Sequence, residues 1–164
     1  MHFDEHGNLN GGIIKGLTME DVEKYFVKEF PDSNTRKRNF EGFQHFLNFL
    51  ESIHVIQKVS KIWLDGSFLT NKNDPNDIDM VLYLNPRQDY LPFVNEFLKN
   101  CADKIHTIGR QFYCDAYFSV DDSLIPTEHH EAKRHFDYQR KYWMGQFGFD
   151  RQERSKGIIE ISLL

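Results

Sequence analysis

Val59-Ser60-Lys61-Ile62-Trp63-Leu64-Asp65-Gly66-Ser67 runs through an Asn-rich stretch, Asn71-Lys72-Asn73-Asp74-Pro75-Asn76-Asp77, into Ile78-Asp79-Met80-Val81-Leu82-Tyr83-Leu84. β-branched and aromatic residues over 59–64 predict a strand that stops at Asp65-Gly66. The turn formers that follow predict a loop, and the apolar run from Ile78 predicts a second, buried strand closed by Pro86. About a dozen residues join the two strands, too few for a regular helical crossover, so antiparallel neighbours are expected.

Outward from this pair, Thr18 with Asp21 three residues on predicts a helix that stops at Pro31. Phe40, Phe43, Leu47, Leu50 and Ile53 recur at intervals of three and four, which predicts a second helix from Ser33 or Asn34 whose apolar stripe needs a sheet to cover. After Pro86 the pattern predicts a helix over 90–101, a strand over 112–120, a long helix over 128–147 capped by Thr127, and a final strand over 158–163. The expected order is α-α-β-β-α-β-α-β. It excludes regular βαβ alternation and points to an α+β fold with a small mixed β-sheet covered by helices.

A length of 164 residues fits one domain spanning 1–164. Fifteen Phe, seven Tyr and two Trp concentrate apolar area in rings, enough to form a core despite a mean hydropathy of −0.60. A net charge of −5 argues against a protein whose main work is wrapping duplex phosphate, although a local basic groove stays open. Cys101 and Cys114 form neither a disulfide framework nor a zinc spacing, and no segment reads as a leader or membrane helix. A cytoplasmic protein with no membrane partner is expected.

Within a strand, residues i and i+2 share a face about 6.6 Å apart, so Asp77 and Asp79 can present carboxylates to one point. Their repulsion calls for a cation, and hard oxygen ligands without nearby Cys favour Mg²⁺ or Mn²⁺. Asp115 interrupts the otherwise apolar run Phe112-Tyr113-Cys114-Asp115-Ala116-Tyr117-Phe118 and is the candidate third acid. Gly66 allows close backbone approach, Ser67 offers a hydroxyl and an amide to phosphate oxygens, and Lys72 adds a charge in the same loop. Asp65 is read as shaping the turn.

Gly66-Ser67, nine intervening residues, Asp77-Ile78-Asp79 and the later strand acid Asp115 resemble the signature of the polymerase β-type nucleotidyltransferase superfamily, over roughly 59–120. The resemblance implies that Asp77, Asp79 and Asp115 coordinate metal and carry catalysis, and that Gly66 and Ser67 hold the phosphates. It implies transfer of a nucleoside monophosphate from an NTP, with ATP expected, to a protein or RNA hydroxyl. The short chain resembles minimal, stand-alone members found in toxin–antitoxin or phage-defence systems, where a partner protein supplies further surface. The competing expectation is a non-catalytic antitoxin of the same shape that sequesters a partner protein.

Other residues carry weaker signals. His129, His130 and His135 read as surface histidines, because an i,i+5 pair does not share a helix face. Arg36-Lys37-Arg38 and the series Arg134, Arg140, Lys141 read as solvated helix faces, with a minority reading in which one guides RNA or the NTP. Arg110 reads either as a substrate contact or as half of a surface ion pair. Tyr138, Tyr142, Trp143 and Phe147 read as core rather than as a base-stacking platform. Lys156-Gly157 has no assignable role.

Overall fold

Residues alternating between two apolar faces build the two central strands, β2 (Val59–Asp65) and β3 (Ile78–Leu84), which pair antiparallel with Leu64 opposite Met80 and Asp65 opposite Asp79. The computed structural model describes residues 1–163 and shows three further strands: β1 (Gly12–Lys15), β4 (Cys114–Val120) and β5 (Gly157–Ser162). The sheet order is β1-β5-β2-β3-β4, with β1 parallel to β5 and β4 parallel to β3. The helices are α1 (Met19–Glu23), α2 (Arg36–Ser52), α3 (Leu91–Asn100), α4 (Ala102–Gly109) and α5 (His130–Phe147). The protein is therefore an α+β fold with one small mixed sheet.

Alternation decides which helix covers which face. Ile62 and Leu64 of β2 and Ile78, Met80 and Leu82 of β3 pack in one cluster with Phe40, Phe43, Phe46 and Leu50 of α2 and with Val94, Phe97 and Ile105 of α3 and α4. Trp63, Val81 and Tyr83 point the other way and meet Phe147 and Trp143 of α5 together with Ile158. One face thus carries most of the core, while the other has the single helix α5. Among the described residues, no helix is long and apolar enough to cross a membrane, and both cysteines are free.

Several elements differ from expectation for local reasons. β1 was not anticipated: it has four residues and is built by pairing with the far end of the chain. The 90–101 helix is followed at once by a second one, the chain bending at Cys101, where α3 ends and α4 starts. β4 starts at Cys114 rather than 112, because Arg110–Phe112 form a 3₁₀ turn and Tyr113 is left-handed at φ 57°. The long helix starts at His130 with no side-chain cap from Thr127. The Thr18–Asp21 capping box is present, but α1 passes after Glu23 into a π-helical turn, Lys24–Lys28.

Arg36 corrects the reading of a solvated basic run. Its side chain is wholly buried, and its guanidinium donates to the carbonyls of Phe26 (2.9 Å), Phe68 (2.7 Å), Thr70 (2.6 Å) and Lys72 (2.6 Å). Its guanidinium carbon also lies 3.7 Å from the centre of the Phe30 ring. Burial pushes the group down to about 10, so it remains charged at neutral pH. Arg36 thereby satisfies one carbonyl of the π turn and three of the loop after β2, of which the bonds to Phe26 and Phe68 are buried and their acceptors would otherwise lack partners. Arg36→Met keeps the bulk and strands these acceptors. It is expected to cost about 3 kcal/mol or more in urea denaturation, and an unchanged midpoint would contradict this role.

Candidate active site

Asp65 ends β2, and Gly66 follows with φ 83° and ψ −169°, a conformation that strains any residue with a Cβ. Space imposes the same choice: a Cβ here would stand 1.7 Å from Oδ2 of Asp79. Ser67–Leu69 then turn as 3₁₀ helix, with Phe68 and Leu69 fully buried as anchors. Farther along, Asp74 accepts from the Asn34 amide (2.6 Å) and the Ser33 hydroxyl (3.2 Å), and Asn39 donates to the Pro75 carbonyl (2.9 Å). With the Arg36 bonds, these contacts tie the loop from Gly66 to Asp77 to the start of α2.

Register then sets the carboxylates side by side. Asp79 pairs with Asp65 across β2 and with Asp115 across β4, so the three lie in one row on the α5 face. The two ends of the row have cations or donors. At one end, Lys156 donates to Asp65 Oδ2 at 2.9 Å in a buried ion pair. At the other, Tyr117 donates its hydroxyl to Asp115 Oδ2 at 2.9 Å, while His106 Nε2 and Arg110 Nε each stand 3.5 Å from Oδ1. The ring of His106 is oriented by its Nδ1, which lies 3.0 Å from the Ala116 carbonyl and so carries the proton.

The middle of the row has no such help. Among the described residues neither Asp77 nor Asp79 accepts a side-chain hydrogen bond. Burial first, and then the charges of Asp77, Asp65 and Asp115, push the Asp79 carboxyl up to about 7, with Lys156 opposing. Burial likewise pushes Asp65 up to about 6 against the pull of Lys156. Burial and the Asp115 hydrogen bond raise the Tyr117 hydroxyl to about 12, so it stays a donor.

Above the row lies a cleft of about 670 Å³. Gly66, Ser67, Lys72, Asp77 and Asp79 line one side, and Tyr142, Trp143 and Phe149 line the other. The sequence-predicted residues therefore gather at one place, with Asp115 beside the cleft rather than among its lining residues. Here the expected aromatic core fails. Phe147 is buried, but Tyr138 and Tyr142 are 71% and 52% exposed, and Trp143 is half-buried against Tyr117 with ring centres 4.7 Å apart. Tyr138 and Tyr142 lie one turn apart on the exposed side of α5, while Trp143 and Phe147 face the sheet. His130 and His135 are exposed as expected, whereas Arg140 is held by Asp122 and Asp137 rather than solvated.

Whether a divalent cation suits this row is decided by its oxygens. Among the described residues no three His, Cys, Asp or Glu side chains already converge as a cage. Yet Asp65 Oδ1 and Asp115 Oδ1 are buried without hydrogen bonds, and Asp79 carries uncompensated repulsion. Hard anionic oxygens short of partners are the donor set that Mg²⁺ or Mn²⁺ takes.

Sequence reasoning missed Lys156, Tyr117 and His106. Tyr117 was findable, two residues beyond Asp115 and so on its face. Lys156 and His106 were not, because each reaches the row only through the packing of distant elements.

An α+β protein with an acid-rich cleft at the ends of its central strands is the class defined so far. The chain belongs to DUF6932, a family of unknown function whose model matches residues 1–162. No curated protein and no solved structure matches it.

Asp79 gives a pH test. As an acid raised from 3.8 to about 7, it keeps a proton in the folded chain that the unfolded chain releases, which favours folding at low pH. That advantage is lost as pH rises across this window. In chelator, Asp79→Asn is expected to stabilise the protein at pH 8 by roughly 1–3 kcal/mol and to change little near pH 4. Equal effects at both pH values would contradict the raised acid.

Proposed function

We propose that this chain is a Mg²⁺-dependent nucleotidyltransferase that moves a nucleoside monophosphate from an NTP, ATP by expectation, to a protein or RNA hydroxyl. The observation that carries the reading is Asp79, seated on Gly66 and flanked in register by Asp115. The cleft above it falls in the size range of small-molecule sites, ~300–1,000 Å³, and joins a Gly-Ser turn to an aromatic wall. On this reading the protein works in the cytoplasm, where Cys101 and Cys114 stay reduced, within a toxin–antitoxin or phage-defence system.

Each residue then has a task. Ser67 donates its hydroxyl to a phosphate oxygen, and Lys72, exposed at the cleft, adds a charge to the triphosphate. Trp143 and Tyr142 give the base a face on which to stack. Asp77, Asp79 and Asp115 are the residues that would hold Mg²⁺ (or Mn²⁺), which when bound offsets negative charge on the phosphates and makes the acceptor hydroxyl more acidic. Asp115 takes the proton of that hydroxyl as its oxygen bonds to the α-phosphorus and the bond to pyrophosphate breaks.

A second reading, a non-catalytic antitoxin that sequesters a partner protein, is favoured by the exposed rings of Tyr138, Tyr142 and Phe149 along and just after α5. The readings separate cleanly. Asp77→Asn and Asp79→Asn are each expected to lower label transfer from α-labelled ATP at least about 100-fold, with circular dichroism unchanged. Transfer at the wild-type rate in either variant would contradict the enzyme.

A further inference from the structure

The outer face of α5 carries a stripe of exposed rings and charges. Arg134, Tyr138, Lys141 and Gly145 follow one another at intervals of four, three and four, so they share one side of the helix, with Tyr142 at its margin. Phe136, Trp143 and Phe147 take the opposite side, against the sheet. Phe149, just past the helix, prolongs the stripe, and the rings of Tyr138, Tyr142 and Phe149 are all exposed. Apolar area gathered in this way on a surface marks contact with another molecule.

Gly145 has no internal reason to be glycine. A glycine inside a helix weakens it, and at Gly42 of α2 the reason is visible, because a Cβ there would stand 2.3 Å from the Phe112 carbonyl. At Gly145 a Cβ would meet nothing within 4 Å, so the packing of the chain itself does not call for a missing side chain. Two grooves of about 560 and 400 Å³ meet at this notch. Arg151 and Glu153 line the first, Ile13 and Met144 the second, and Phe149 borders both. The charges beside the stripe are unpaired as well. Asp137 holds Arg140 and Lys141, and Asp150 holds Arg154, but among the described residues Glu131, Arg134, Arg151 and Glu153 are exposed and form no ion pair.

We propose that this face is covered by a second copy of the chain, whose α5 runs antiparallel to the first about a twofold axis between Lys141 and Tyr142. Residues equally far from such a centre, on opposite sides of it, meet across the contact. Tyr138, the most exposed ring, then lies in the notch at the partner's Gly145, and Arg134 lies over the ring of the partner's Phe149. Toward the ends, Glu131 comes beside the partner's Arg151 and Arg134 toward the partner's Glu153, so each of the four unpaired charges gains an opposite neighbour. A parallel pair would instead set like charge against like charge and notch against notch. Ring and notch, cation and anion all lie on one face, which a twofold contact requires and a foreign partner does not. Tyr142 and Phe149 also line the larger cleft, so the pairing sets one of its walls. The assignment is independent of the nucleotidyl-transfer reading.

Sedimentation velocity over a concentration series reads the contact directly. The wild type is expected to pass from the monomer mass of 19.5 kDa to twice that value as concentration rises. Gly145→Gln fills the notch with a good helix former whose Cβ meets nothing in its own chain, so the variant is expected to fold, with circular dichroism unchanged. It is expected to weaken dimerisation roughly tenfold or more. Glu131→Arg brings like charges together across the axis and is expected to weaken dimerisation by about the same factor. Adding Arg151→Glu to Glu131→Arg is expected to restore it. A wild type that stays monomeric at every concentration overturns the proposal. A dimer indifferent to Gly145→Gln, or a double variant as weak as Glu131→Arg alone, overturns the assignment of the contact to this face. A monomer that retains a foreign protein through a surface lost in Gly145→Gln overturns it in favour of a heterologous partner.

Discussion

Three carboxylates in register across three adjacent strands set the terms for the rest of the molecule. Asp65, Asp79 and Asp115 sit strand beside strand, spacing that no side-chain rotation can do much to widen. The fold relieves the ends of the row, with Lys156 at Asp65 and with Tyr117 and Arg110 around Asp115. It leaves the centre loaded: Asp79 rests on Gly66 with its proton held to about pH 7. A structural row would be paired throughout, because buried charge without compensation costs several kcal/mol. This uncompensated carboxylate under an open cleft is the observation on which the proposed cation site rests.

Holding such a row requires rigid strand ends. Arg36 accomplishes this from beneath, fastening the carbonyls of Phe68, Thr70 and Lys72 to the start of α2, while Asp74 and Asn39 fasten the later half of the same loop. The loop that reads as flexible and Asn-rich is thus among the better-tied segments of the chain. The opposite face is treated differently. α5 covers the sheet only in part, and where its last turns pass the carboxylates the rings of Tyr142 and Trp143 border the cleft instead of closing it.

Much of this was readable beforehand, for reasons of range. β2, β3 and the intervening loop follow from alternation and turn chemistry within a short window, and the placement of Gly66, Ser67, Asp77 and Asp79 at one end of the sheet follows with them. The Thr18–Asp21 capping box was equally local. What escaped depends on the far contacts of the chain. β1 exists only because β5 lies beside it, and Lys156 meets Asp65 only because β5 also pairs with β2. Arg36 looked like part of a basic surface run because composition cannot distinguish a guanidinium surrounded by water from one surrounded by carbonyls. The rings of α5 looked like core because their spacing is helical, and spacing does not say whether a second layer stands opposite.

The central claim, that this acidic row is completed by divalent cation and nucleotide, is tested most directly by crystallography of the protein with Mn²⁺ and a non-hydrolysable ATP analogue, read at the manganese absorption edge. The account predicts an anomalous peak in contact with Asp77 and Asp79, with the analogue's phosphates against Gly66 and Ser67. A structure in which the analogue is bound elsewhere, or in which these carboxylates remain without metal at saturating Mn²⁺, would contradict it.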